Sequence, residues 1–157
     1  MPHATTTTSL ETESLIDLVG RKRDCLTRLL ALGRKQLELI DDDAMTSWVP
    51  LLSEKQQLLA ELQHVERQLD LFRAQDPESR RWRSPADRQH CAGLIASCRA
   101  LFAEIVAQEQ HAESQLQRRR NVVAVRLDAA QQARRARVVY AELPAETTNR
   151  LDLCSDW

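Results

Sequence analysis

The apolar positions divide the chain into three long stretches of helical period. In the first, about 10–40, Leu15, Val19, Leu26, Leu29, Leu30, Leu37 and Ile40 share one face near a seven-residue repeat. Ser9 stands before it as an N-cap, with Glu11 and Glu13 in the first turn, where acids suit the helix dipole. Gly20 and Gly33 interrupt it, and Gly33 falls where a close-packing position on the seam is expected. Asp41-Asp42-Asp43 breaks the pattern. Three acids oppose the dipole of an ending helix and favour that of a starting one, so a tight turn is predicted there, with Asp43 capping the next helix.

The second stretch, about 44–74, carries Trp48, Leu51, Leu52, Leu58, Leu59, Leu62, Val65, Leu69 and Phe72 on one face, and Pro50 in its second turn predicts a kink or a frayed start. A charged loop, 75–83, contains Arg80-Arg81-Trp82-Arg83. The third stretch opens on Ser84-Pro85-Ala86-Asp87, a hydroxyl N-cap, a proline at the first helical position and an acid in the first turn. Its apolar residues recur through Cys91, Leu94, Cys98, Leu101, Ile105, Ala112, Leu116, Val123, Leu127 and Ala130, and no proline intervenes before Pro144. A helix over 85–141 is roughly 85 Å long, against about 45–50 Å for each of the first two.

Short turns make consecutive helices antiparallel neighbours. The expected fold is therefore all-α, an antiparallel three-helix bundle or coiled coil with one overlong third helix. Residues 1–9 are expected to be a disordered N-terminal segment, 10–141 one helical domain, and 142–157 a flexible C-terminal tail. The first part of the third helix pairs with the other two, and about 25 residues, 117–141, would extend past them. Scarce glycine and 4% aromatic residues agree, since such a composition gives a sheet little to build with.

Charge changes the picture of the third helix. Between Leu116 and Tyr140 stand seven arginines (118, 119, 120, 126, 134, 135 and 137) against the single acid Asp128, a net +6 in a chain whose total is −1. Leu116, Val123, Leu127, Ala130, Val138 and Tyr140 supply apolar surface there without an obvious intramolecular partner, and Arg119 and Arg126 supply a polar rim. Isolated helices are marginal in water, so that surface calls for a partner.

Chemistry narrows the function by what is missing. No Gly-rich phosphate loop, GxSxG or HExxH motif occurs, and His3, His64, His90 and His111 do not cluster in sequence. An enzyme is not expected, nor a cofactor. His90, Cys91 and Cys98 have no recognised ligand spacing, so no metal site is expected, and the cysteines read as small core residues in a reducing compartment. The N-terminal threonine run has no apolar core, and no run of about 18 consecutive apolar residues offers a membrane span. The expected location is cytoplasmic. Nucleic acid could meet the arginines. The slight overall acidity, the absence of stacking aromatics among them and their spread over several faces argue against it.

Leu37-Glu38-Leu39-Ile40-Asp41, followed by Leu51-Leu52-Ser53-Glu54-Lys55-Gln56-Gln57-Leu58-Leu59-Ala60-Glu61-Leu62, resembles the FlgN-type flagellar export chaperones, related in architecture to FliT-like type III secretion chaperones. In that family a first helix ends in an acidic turn, and a second carries a leucine pair, a lysine, another leucine pair and a further leucine. The resemblance implies a small cytosolic binding protein of the bacterial flagellum and its type III secretion. It would hold the helical or disordered end of a hook-filament junction protein before export and pass it to the export apparatus. Client contact is then expected at Leu116, Val123, Leu127, Ala130, Val138 and Tyr140, with Arg119 and Arg126 at the rim. The alternatives are a structural coiled-coil scaffold that dimerises through the third helix, and a basic-helix nucleic-acid-binding protein.

Overall fold

A computed structural model describes residues 9–42 and 44–142. Among these residues three α-helices, α1 (Ser9–Asp41), α2 (Trp48–Arg73) and α3 (Pro85–Glu142), follow one another, with 3₁₀ turns at Met45–Ser47 and Pro77–Ser79. The fold is all-α, an antiparallel three-helix bundle with a long third helix, as the periodicity predicts. The expected disordered start and flexible tail fall almost wholly outside the described residues, and so does Asp43 as a cap.

The chain divides into two units, Met1–Gln115 and Leu116–Trp157. In the first, the core unites Leu15, Leu18, Val19, Leu26, Leu29 and Leu32 of α1 with Leu51, Leu58, Val65 and Leu69 of α2 and Cys91, Leu94 and Cys98 of α3. The buried set on α1 runs 12, 15, 19, 26, 29, 30, 33, 36, 40 and, on a second flank, 18, 25, 32. Two flanks at a seven-residue spacing let one helix face two neighbours. Polar contacts fix the register. On α3, the Gln108 amide donates to the Leu30 carbonyl at 3.3 Å and the Cys98 thiol to the Val19 carbonyl at 3.7 Å. Lys55 of α2 reaches both Gln36 of α1 and Glu109 of α3.

Gly33 is buried at the α1–α3 contact, where a Cβ would stand 1.8 Å from Gln108 Oε1. It is the close-packing position its place on the seam predicts. Helix α2 begins later than the sequence suggests. A 3₁₀ turn takes up Met45–Ser47 and α2 starts at Trp48. Pro50 therefore sits in the first turn of α2, where its missing N–H leaves no hydrogen bond unmade.

The loop before α3 is a strap rather than a free connection. Thr12 donates to the Arg81 carbonyl at 2.9 Å, Arg80 to the Phe72 carbonyl at 2.7 Å, and Arg83 pairs with Glu13 at 2.7 Å. Trp82 packs against the core between these ties. At the start of α3, Ser84 Oγ accepts from the Asp87 N–H at 3.2 Å, the N-cap read from the sequence.

Candidate functional site

The residues singled out on the third helix lie in the second unit, on the part of α3 from Leu116 to Glu142. Leu116 and Arg119 are half-buried; Arg126 and Ala130 are exposed, as are Val123 (52%), Leu127 (58%), Val138 (51%) and Tyr140 (76%). At 3.6 residues per turn, Leu116, Val123, Leu127 and Ala130 fall within about 60° of one another. Val138 borders that arc on one side, and Arg119 and Arg126 on the other. Tyr140 stands about 110° from its centre, beside Val122 instead. Val122, Val125 and Val139, also exposed, lie on further sides. The helix thus presents one apolar arc and scattered apolar residues around it, rather than a single stripe that holds all the predicted residues.

A second surface, in the first unit, has more shape. Helices α2 and α3 leave a groove between them, with α1 as its floor. Its α2 wall includes Leu62, Glu66, Leu69 and Arg73, its α3 wall Ile95, Cys98, Arg99 and Phe102, and its floor Leu15, Val19 and Leu26. The cavity at the Phe72–Arg80 end holds about 630 Å³, room for several large side chains. Beyond it the leucine pairs of α2 divide. Leu51 and Leu58 enter the core, whereas Leu52 and Leu59 remain exposed, as Phe102 and Val106 of α3 do. Splitting each pair between core and surface follows from the 100° step between neighbours on a helix. Reading both leucines of a pair as core hid this face in the sequence.

The same helix accounts for the openness. Residues 90–107 of α3 have a mean hydropathy of 1.4, and 17% of them are buried. Ala92, Gly93, Ala96, Ala100, Ala103 and Ala107 are all exposed there. Length and composition would let such a helix cross a membrane, but a core helix of a soluble bundle meets the same description. What distinguishes this one is how little of its apolar length the bundle covers.

Charges frame the groove. Glu66 accepts from Lys22 of α1 at 2.5 Å and from Arg73, which also pairs with Asp70 at 2.5 Å. Burial pushes the Glu66 carboxyl up, and the hydrogen bonds from Lys22 and Arg73 outweigh it, holding the group below its ordinary 4.5. Arg80 and Arg99 add positive charge at the same end. At the other end Lys55, Gln36 and Glu109 form a cross-tie between the three helices. Burial raises the thiols of Cys25, Cys91 and Cys98, so these cysteines are core-filling and poor nucleophiles.

Among the described residues, no group of three or more His, Cys, Asp or Glu side chains is placed to hold a metal ion. No family model, curated protein or solved structure matches the chain.

Proposed function

We propose that this chain is a protein-binding module that shelters an apolar helical segment of a partner polypeptide, in the manner of the flagellar export chaperones its sequence resembles. The observation that carries the reading is the groove between α2 and α3: an apolar cavity of about 630 Å³, continued by exposed Leu59, Phe102 and Val106 and framed by Lys22, Arg73, Arg80 and Arg99. Apolar walls with a charged rim suit an amphipathic helix, whose side chains at i, i+3, i+4 and i+7 fill such a groove. The sequence resemblance supplies the partner class, the aggregation-prone end of a secreted hook-filament junction protein. Neither a cofactor nor catalysis enters the reading.

A second surface is proposed on the second unit, the arc of Leu116, Val123, Leu127 and Ala130 bordered by Val138, Arg119 and Arg126. Its support is the exposure of its large apolar residues.

The test is capture of partners from native cytosol by the purified chain and by Leu59→Glu with Phe102→Glu. Both positions are exposed, so circular dichroism of the variant should match the wild type. Loss of the captured protein at unchanged helicity is the expected result. Retained capture overturns the groove as the site, and the same assay with Val123→Asp and Leu127→Asp then addresses the second surface.

A further inference from the structure

One line along α3 borders the groove: Arg99, Phe102, Val106, Glu109 and Glu113, spaced three and four residues apart. It keeps the 3.5-residue period on which two helices can meet over several turns. The line is basic at one end, apolar in the middle and acidic at the other. Phe102 and Val106 are 59% and 39% exposed. Arg99 and Glu113 are exposed and form no ion pair among the described residues.

We propose that a second copy of this chain packs on this face, α3 antiparallel to α3 about Val106, with Arg99 of each protomer against Glu113 of the other and Phe102 and Val106 buried between them. An antiparallel crossing centred on Val106 sets Arg99, seven residues before it, opposite Glu113, seven residues after it. A two-fold interface must be self-complementary, since the same patch serves both sides. The outer positions meet that condition, Arg99 against Glu113 on both sides of Val106. Phe102 of each copy lies over the aliphatic stem of the other's Glu109, whose carboxylate is held by Lys55. Exposed Leu59 on α2 widens the apolar centre. The under-covered stretch 90–107 explains why the face needs an occupant at all.

The contact spans about 21 Å of helix between Arg99 and Glu113. That places it at the small end of specific interfaces, so the dimer exchanges with monomer. Arg99 and Phe102 also line the cavity, so a second copy closes its mouth from outside, and the partner segment proposed above binds only where the dimer has come apart. The inference does not depend on the partner reading above, because the purified chain alone tests it.

Sedimentation equilibrium over a concentration series is the experiment. The wild type is expected to approach twice the chain mass as concentration rises. Arg99→Glu and Glu113→Arg each set like charges against each other twice per dimer and should weaken it about tenfold or more. Mixing these two variants restores both opposite-charge pairs, so the mixture should form a heterodimer at wild-type strength, and the chain carrying both substitutions should dimerise again. Circular dichroism checks that each variant is folded, and should one single variant not fold, the doubly substituted chain against the other carries the comparison. A wild type that stays monomeric overturns the proposal. So does a dimer indifferent to both single substitutions, or variants that fail to rescue one another.

Discussion

At the scale of single residues, the two glycines of α1 make opposite predictions. Around Gly20 nothing lies within 4 Å of an added Cβ, whereas at Gly33 a Cβ would meet Gln108 Oε1 at 1.8 Å. Alanine in a helix is favoured over glycine by about 1 kcal/mol. Gly20→Ala should therefore raise the unfolding free energy by about 0.5–1 kcal/mol. Gly33→Ala must displace the Gln108 side chain and lose its hydrogen bond to the Leu30 carbonyl, a loss of about 1 kcal/mol that cancels the gain. Its unfolding free energy should stay within about 0.5 kcal/mol of wild type. In a Gln108→Ala background the obstruction is gone, and Gly33→Ala should then add the full increment. Urea unfolding of the four chains measures this coupling. Independent, additive effects would show that Gln108 does not hold the seam. Gly33 was legible as a seam position, because the seven-residue repeat alone places it. Its partner was not, because a glutamine at Gln108 carries no mark in the sequence of the contact it makes 78 residues away.

At the scale of elements, Lys22, Glu66 and Arg73 bind α1 to α2 beside the groove, and the sign of the Glu66 shift sets how that tie responds to pH. The carboxyl titrates below 4.5 in the folded chain. Between that lowered value and 4.5 the unfolded chain binds the proton and the folded chain does not, so stability falls as pH is lowered through this window. The contribution is fully present above 4.5 and gone below the folded value. Glu66→Gln should therefore be less stable than wild type at neutral pH, with the difference shrinking as acid protonates the native glutamate. Thermal unfolding at neutral pH and at about pH 3, in constant salt, checks it. A gap that stays the same at both pH values would mean that the ion pairs add nothing. The helices themselves were legible, since long runs at period 3.5, a Ser-Pro-Ala-Asp start and an acidic turn are local signals. The strap at Arg80–Arg83 was not. Its ties to Thr12, Glu13 and Phe72 join points up to 70 residues apart, and only the folded chain brings them together.

At the scale of the whole molecule, the sequence pointed to the basic half of α3 as the binding surface, and the fold adds a second candidate in the groove. The groove was hidden because Leu51-Leu52 and Leu58-Leu59 read equally well as core; only the crossing of α2 over α1 decides which leucine of each pair turns outward. The two candidates fall in different units, so one shortened chain separates them. The buried hydrophobic core identified among the described residues runs from Leu15 to Ala112. A chain ending at Gln115 should therefore unfold cooperatively, with its stability changed by no more than about 0.5 kcal/mol, the usual range for surface changes away from a core. Its helicity should drop by the share of 116–142, a segment with no buried face past Arg119. If the groove holds the partner, this chain still captures it from cytosol, and Leu59→Glu with Phe102→Glu still abolishes capture. If the arc of Leu116, Val123, Leu127 and Ala130 holds it, the shortened chain captures nothing, although its core is whole. Binding that survives shortening and also survives both groove substitutions would exclude both surfaces, and would move the site to another face of the first unit.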